Sequence, residues 1–192
     1  MNIDTMQIIN KIKNRSGQAM VEAMVALSVV VIGILSVFSL TSNSISLSRV
    51  AADRYVAINL ASEGIELVKN LIDKNVMDEN VAWNYIPGFT MSGDYEIDYN
   101  DSGVAPLENS EGDLLYFSKD GSGYYRYDMQ DPVKDQLTNF RRIITINIPN
   151  PDYIHVTSKV LWKSRGNNYE LSVEDYFYNL KLFKYNINVE LD

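Results

Sequence analysis

The sequence contains no cysteine and only one histidine, His155, among its 192 residues. The absence of cysteine excludes disulfide bonds, thiolate metal sites and cysteine nucleophiles. A single histidine excludes zinc sites built from several imidazoles and leaves little for Ser-His-Asp chemistry. Basic residues are also scarce, 17 against 25 acidic residues, and the net charge is −8. Because nucleic-acid binders neutralise phosphates with an excess of Lys and Arg, we expect no nucleic-acid partner.

Proline is absent before Pro87, and the first third of the chain contains one long hydrophobic run. This run extends from Ala19 to Leu40 and includes one charged residue, Glu22. As a helix rising ~1.5 Å per residue it would be roughly 33 Å long, enough to cross a ~30 Å hydrocarbon core. A buried core helix is the alternative, but such helices rarely stay apolar on every face for this length. The sequence therefore predicts a transmembrane helix at about 19–40.

The residues before the apolar run suggest its orientation. Lys11, Lys13 and Arg15 precede the run, with Asp4 as the acidic residue on that side. This basic excess favours an N-terminus in the cytoplasm and a single pass through the cytoplasmic membrane. No small-residue cleavage site of the secretory type follows Leu40, so we expect the apolar segment to be retained.

The junction between the basic leader and the apolar run has a specific pattern. Gly17 ends the leader, Gln18 follows it, and Glu22 lies five residues after the glycine. This pattern resembles the prepilin signature of type IV pilins and of the pseudopilins of type II secretion. The resemblance implies that a membrane prepilin peptidase cuts between Gly17 and Gln18 and methylates the new N-terminus at Gln18. Family members most often have Phe or Met where this chain has Gln18.

Glu22 is a candidate functional residue on physical grounds as well. An ionisable side chain inside a membrane span costs a few kcal/mol and marks a functional site by default. Because Glu22 lies near one end of the span, the alternative is that its carboxylate simply snorkels to the interface. The resemblance implies a partner instead, the amine freed at Gln18, on the same or a neighbouring subunit. Such a pair would set the register of helices during assembly.

The helical pattern continues beyond the apolar run. From Arg49 to Lys74 an apolar stripe repeats at three- and four-residue steps, which predicts an amphipathic helix. Together with the membrane span this gives one long helix over 18–74. A two-helix hairpin that breaks between Asn43 and Ser48 is the alternative. The predicted stripe consists of Ala57, Ile58, Leu60, Ala61, Ile65, Leu67, Val68, Leu71 and Ile72.

The remainder of the chain, 75–192, has the pattern of a β-sheet head. Trp83 to Thr90 reads as a connecting loop, and alternating apolar residues with glycine-containing turns follow it. Short turns between five or six strands predict an antiparallel sheet, whose apolar face the helix would cover. The fold class is therefore α+β. The expected strands are 95–99, 114–117, 124–127, 140–148, 154–162 and 169–178, with hairpins at 119–123 and 164–168.

A long N-terminal helix on an antiparallel sheet is similar to the pilin architecture. Leu60–Val68 and Val156–Trp162, with the following Tyr169–Val173, look similar to minor pilins, and the cysteine pair of many major pilins is absent. The resemblance implies a non-enzymatic minor pilin, with other pilin subunits and membrane lipid as its partners and a surface filament as its destination. A pseudopilin of type II secretion, a non-polymerising single-pass adhesin or receptor, and a DNA-uptake receptor remain alternatives.

No enzyme site is evident in the head. The Lys119–Gly123 segment contains a glycine-rich acidic turn but lacks the spaced oxygen ligands of an EF-hand, so no metal is expected. His155 lies on a predicted strand and is read as a surface residue. Tyrosine clusters are read as sheet packing, because the arginines are dispersed along the sequence and ring platforms for single strands need a basic groove. We therefore expect neither a catalytic residue nor a cofactor.

Overall fold

A computed structural model describes residues 3–78, 80–99, 101–108, 112–119 and 123–181, with residues 3–16 described by their backbone alone. The chain divides into two compact units, Met1–Ala51 and Ala52–Asp192, and we call the second the head unit. One helix, α1 (Ile3–Met77), contains the whole predicted 18–74 segment. The single-helix prediction is confirmed and the hairpin alternative is wrong. The helix begins within the predicted leader and ends three residues beyond Lys74, and the leader boundary after Gly17 stays a prediction.

The head unit contains an antiparallel sheet, and seven of its strands lie in the described residues. They are β1 (Gly93–Glu96), β2 (Ala105–Pro106), β3 (Leu114–Ser118), β4 (Tyr125–Arg126), β5 (Asp135–Asn150), β6 (Tyr153–Ser164) and β7 (Asn167–Tyr178). The central strand β5 pairs along one edge with β6, and along the other edge with β3 and then β1. Strand β7 pairs with β6, β4 with β3, and β2 with β1.

Most of the predicted strands are present, and the differences lie at irregular positions. The predicted hairpin at 164–168 joins β6 to β7, whereas the turn at 119–123 includes residues outside the described part of the chain. Strand β1 ends at Glu96 rather than Tyr99, because its partner β2 is only two residues long. Strand β5 begins at Asp135, since its polar first residues pair with β3. Ladder pairing, rather than apolar alternation, defines that end of β5.

The C-terminal part of α1 packs on the sheet within the head unit. Its residues Ile65, Val68 and Ile72 join a core with sheet residues such as Ile144 and Val156. A second core forms where α1 meets β3, β5 and β6 near the other end of the contact. That cluster contains Ala57, Leu60, Ala61, Leu115, Phe140, Val160 and Trp162. The apolar face of the sheet is thus covered by the helix, as predicted.

Position 64 allows α1 to approach the sheet closely. A Cβ added to Gly64 would clash with the Ser158 hydroxyl and would lie 2.6 Å from Cδ1 of Ile144. Ile58, which the periodicity placed in the stripe, is 41% exposed. Its inclusion in the buried stripe was wrong, because the face that contacts the sheet centres on Ala57, Ala61 and Gly64.

Candidate functional site

The apolar segment of α1 in the first unit is exposed along its whole length. Every residue from Gly17 to Ile45 is exposed. Large side chains such as Met20 and Phe38 keep more than two thirds of their surface accessible, 74% and 73%. An exposed apolar surface of this extent is unfavourable in water and marks a membrane or protein interaction site. By length and composition this is the one helix of the described chain that is suited to cross a membrane.

Three hydroxyl groups in and beside this segment donate hydrogen bonds to carbonyl groups of their own helix. Ser28 Oγ donates to the carbonyl of Met24 at 2.8 Å, and Ser36 Oγ donates to that of Ile32 at 2.8 Å. Thr41 Oγ1 donates in the same way to Val37 at 2.9 Å. Such back-bonding removes the need for an outside partner, which matters where no water is available. Three polar residues in and beside the predicted span therefore impose little cost in lipid.

Glu22 has no comparable partner. Among the described residues it makes no ion pair and no hydrogen bond, and its side chain is exposed. Gln18 precedes it by four residues, so the two lie on the same helical face, about one turn or 6 Å apart along the axis. A Cβ placed on Gly17 would have no atom of another element within 4 Å. The predicted cleavage site and the single charge of the apolar run are thus open to an outside partner.

In the head unit the charged centre is Arg142, a group that sequence reasoning did not single out. Arg142 is fully buried, its Nη2 donates to the Ile97 carbonyl at 2.8 Å, and its Nη1 lies 3.4 Å from Oε1 of Glu63. Tyr127 donates its hydroxyl proton to the Arg142 carbonyl at 2.9 Å. Burial raises the pKa of Tyr127 to about 12, although the adjacent guanidinium opposes this shift. The network joins α1 to the sheet, which is a structural role.

The residues that the sequence analysis considered for catalysis or metal binding lie outside the Arg142 network. His155 on β6 stacks on Tyr176 and its Nε2 lies 3.0 Å from Oε2 of Glu174, on the exposed face of the sheet. In the described ranges, no group of three or more His, Cys, Asp or Glu residues could hold a metal ion. The glycine-rich turn at 119–123, where the sequence led us to expect no metal, includes residues outside the described part of the chain, so that expectation stays a prediction.

The arginines, dispersed in sequence, are partly gathered by the fold. Arg141 and Arg165 line one groove with Lys163, whereas Arg126 and Arg142 are buried in the head unit. The spacing of these cations in the sequence did not indicate that they share a groove. Arg141 and Lys163 are more than twenty positions apart, and the pairing of β5 with β6 brings them together. We call this groove the basic groove.

Comparison with known proteins gives no relative from which a role can be transferred. No protein-family model, curated protein or solved structure matches this chain. The structure itself defines an α+β protein in which one long N-terminal helix, with an apolar and exposed first half, packs its last part on an antiparallel sheet. The hydrocarbon core of a membrane is the simplest environment for the apolar segment.

Proposed function

We propose that the chain is a minor pilin, a non-enzymatic subunit of a type IV pilus-like filament. In this proposal the leader lies in the cytoplasm and a prepilin peptidase cleaves after Gly17. Gln18 becomes the mature, methylated N-terminus. The subunit then passes from the cytoplasmic membrane into a surface filament.

One observation supports this proposal most strongly. Gly17 and Glu22, spaced as in the prepilin signature, lie at the start of the exposed apolar segment of α1. The C-terminal part of the same helix packs on an antiparallel sheet. The glycine or the glutamate alone would carry no weight. Combined with a basic leader before Gly17 and a 22-residue run with one charge, they support the proposal of a processed and anchored subunit. The packed part of α1 in the head unit supports the pilin-like layout.

The exposed segment suggests how the subunit changes environment. Lipid covers the apolar side chains before assembly, and neighbouring helices cover them afterwards, so extraction exchanges one apolar environment for another. Internal hydrogen bonds at Ser28, Ser36 and Thr41 persist through this exchange. Glu22 is different, because a carboxylate without a cation is costly in either environment. Pairing with the amine of Gln18 on a neighbouring subunit removes that cost only in the correct register.

Two alternatives share parts of this proposal. A minor pseudopilin of type II secretion would be cleaved and assembled in the same way and differs in the machinery that it serves. A single-pass adhesin or receptor that never polymerises would use the apolar helix as an anchor alone. The third alternative, a DNA-uptake receptor, needs a positive surface on the head, and the basic groove supplies three cations in an otherwise acidic protein.

The role of Glu22 separates an assembled subunit from a simple anchor. We expect Glu22→Gln to insert and to be cleaved normally, because the change removes a charge and leaves Gly17 intact. The variant should be depleted from sheared filaments and should accumulate in the membrane, since its amine lacks a carboxylate partner. Quantitative immunoblots of filament and membrane fractions measure this distribution.

Ser36→Ala provides the matched control, because it removes a polar group of the same span that is satisfied within its own helix. This variant should enter filaments like the wild type. Equal incorporation of Glu22→Gln and wild type would show that the carboxylate only snorkels, which favours the anchor alternative.

A further inference from the structure

Strand β7 is the one long strand at the rim of the sheet within the described residues. The other two strands at the rim, β2 and β4, have two residues each, whereas β7 has twelve. Every residue of β7 pairs with β6, and no strand of the described chain pairs with its other edge. A long unpaired edge presents a row of backbone N–H and C=O groups that can bind a further strand.

Two hydrogen bonds show which backbone groups of β7 face this edge. The amide of Asn179, just after β7, donates to the carbonyl of Asp152 on the β6 side at 2.9 Å. The amide of Tyr176 instead donates to Oδ1 of its neighbour Asp175 at 2.8 Å. Because the two directions alternate along a strand, the even-numbered residues direct their backbone groups away from β6. Asp175 occupies the amide of Tyr176, so the stretch that can pair is 168–174, which we call the open edge.

The open edge lacks most of the features that protect edge strands. Protection commonly comes from proline, lysine, a β-bulge or a charge that points towards the core. The segment 168–174 contains neither proline nor lysine, and its register with β6 continues without a bulge. Asp175, which pairs with the buried Val156 and so lies on the helix-packed side, comes directly after it. A protective residue therefore ends the open edge, and the open edge itself can pair.

One side of the open edge is an incomplete apolar layer. Tyr169, Leu171 and Val173 alternate on the helix-packed side of β7 and contact the core, yet each is only half-buried. An added strand with an apolar side chain at every second residue would continue this layer and remove more of it from water. This side favours an occupant with alternating apolar residues.

The other side of the open edge is acidic. Glu170 and Glu174 are exposed there, four residues apart. Glu170 has no ion pair among the described residues, and Glu174 contacts His155, with 3.0 Å between Oε2 and Nε2. Lys159, which lies opposite Ser172 on the same face, forms no ion pair in the described chain. Opposite charges across neighbouring strands stabilise their pairing, so a strand beside β7 gains from Lys or Arg opposite the two glutamates.

The same charges argue against a second copy of β7 as the occupant. On this face, positions 168, 170, 172, 174 and 176 each lie within two residues of Glu170 or Glu174. Any register that pairs Glu170 with this stretch of another β7 therefore places a glutamate opposite or diagonal to a glutamate. Like charges so placed destabilise the pairing, which favours a different chain as the partner.

We infer that the open edge binds an extended segment of a different protein, with apolar side chains on the helix-packed side and with Lys or Arg opposite Glu170 and Glu174. Binding of this kind adds a strand to the sheet: backbone hydrogen bonds supply affinity, and the alternate side chains supply specificity. The inference goes beyond the proposed filament role and does not depend on it. It applies equally to a subunit of an assembly and to an anchored receptor.

The test titrates the full chain, in a neutral detergent, into a fluorescein-labelled peptide and follows the fluorescence anisotropy. The probe is Thr-Val-Lys-Val-Thr-Val-Lys-Val-Thr, whose two lysines have the same spacing as Glu170 and Glu174. A second peptide has glutamate in place of both lysines, and a third is the lysine peptide with N-methyl groups on the backbone amides of both lysines. Detergent without protein gives the background.

We expect the lysine peptide to bind about tenfold more tightly than the glutamate peptide, because two cross-strand pairs change from attraction to repulsion. The N-methylated peptide should bind at least about tenfold more weakly than the lysine peptide, since it lacks two backbone donors.

Variants of β7 separate the contribution of charge from that of backbone pairing. A chain with both Glu170→Lys and Glu174→Lys should reverse the preference and bind the glutamate peptide more tightly. Ser172→Pro removes an outward amide in the middle of the open edge and should weaken binding of the lysine peptide by at least about tenfold. Ser172→Thr keeps this amide and should bind like the wild type. Melting temperatures verify that each variant is folded, and the charge reversal keeps the test decisive where the proline lowers stability.

Two results with the peptides would overturn the inference. The first is equal binding of the lysine and glutamate peptides, and the second is undiminished binding of the N-methylated peptide, which would exclude strand addition. Two results with the chain itself would also overturn it. Peptide binding that requires removal of residues 182–192, or self-association that Ser172→Pro abolishes, would assign the open edge to this chain's own sequence instead of a partner.

Discussion

Oε1 of Glu63 on α1 lies 3.4 Å from Nη1 of Arg142 on β5, and this ion pair links helix to sheet inside the head unit. Arg142 is fully buried, whereas the Glu63 side chain is 33% exposed. The guanidinium also donates to the Ile97 carbonyl at 2.8 Å and from Nε to the Tyr127 hydroxyl at 3.3 Å. A buried cation is stable only when it is paired and hydrogen-bonded, so Glu63 compensates a charge that the core cannot otherwise hold.

Removing Glu63 should therefore destabilise the head. We expect Glu63→Ala to lower the free energy of unfolding by about 1–3 kcal/mol, less than for a fully buried pair because the carboxylate is partly solvated. Urea titration followed by the fluorescence of the buried Trp83 and Trp162 measures this change. Glu66→Ala, on the exposed side of the same helix, should have an effect within about 0.5 kcal/mol. Equal effects of the two substitutions would contradict the compensating role.

The close approach of α1 to the sheet predicts that Gly64 tolerates no larger residue. Gly64→Ala would place a methyl group against Ser158 and Ile144, and it should cost about 1–3 kcal/mol of unfolding free energy through overpacking. Gly33→Ala is the matched control on the same helix, since a Cβ there has no atom of another element within 4 Å. It should leave the stability of the head unchanged. A neutral Gly64→Ala would mean that the helix can move away from the sheet at no cost.

The network around Arg142 also predicts an alkaline loss of stability. The pKa of Tyr127 is raised from 10.0 to about 12 by burial, so the fold favours the protonated phenol. The stabilisation is complete below pH 10 and is lost as the pH rises towards 12, by about 2–3 kcal/mol in total. Urea titrations at pH 9 and pH 11 measure how far the free energy of unfolding falls as the pH rises. This decrease should be smaller for Tyr127→Phe than for the wild type. Tyr85→Phe, at an exposed position, should retain the wild-type decrease.

The sequence predicted the class of fold because periodicity reports which face of a helix or strand is buried. It did not predict the buried ion pair at the centre of the head, since Arg142 is one of several arginines dispersed along the sequence and the periodicity of α1 does not mark Glu63 as its partner. The buried charge of Arg142 depends on Glu63, Ile97 and Tyr127, which come from three separate segments of the chain, and one-dimensional patterns do not show that these segments meet. The basic groove was missed for the same reason. Its cations lie on neighbouring strands, and only strand register brings Arg141 near Lys163.

The division of the chain predicts a soluble fragment that begins at residue 52. Asp53 accepts a hydrogen bond from the Ser164 hydroxyl at 2.6 Å, so a fragment of residues 52–192 keeps this link between helix and hairpin. A fragment of residues 56–192 lacks this hydrogen bond. Its free energy of unfolding should be about 1–2 kcal/mol lower than that of the longer fragment, and it should remain soluble. Size-exclusion chromatography and urea titration of both fragments test this. Aggregation of both fragments in every buffer would show that the head needs a partner subunit.

Processing at Gly17 tests the account most directly, because every step of the proposed assembly depends on it. The measurement is the intact mass of the protein recovered from the sheared surface fraction of cells that contain a prepilin peptidase. Cleavage and methylation at this junction predict the mass of residues 18–192 plus one methyl group, and retention of Gly17→Leu in the membrane as the full 192-residue chain. Recovery of the full-length mass from the wild type, or wild-type processing of Gly17→Leu, would contradict it.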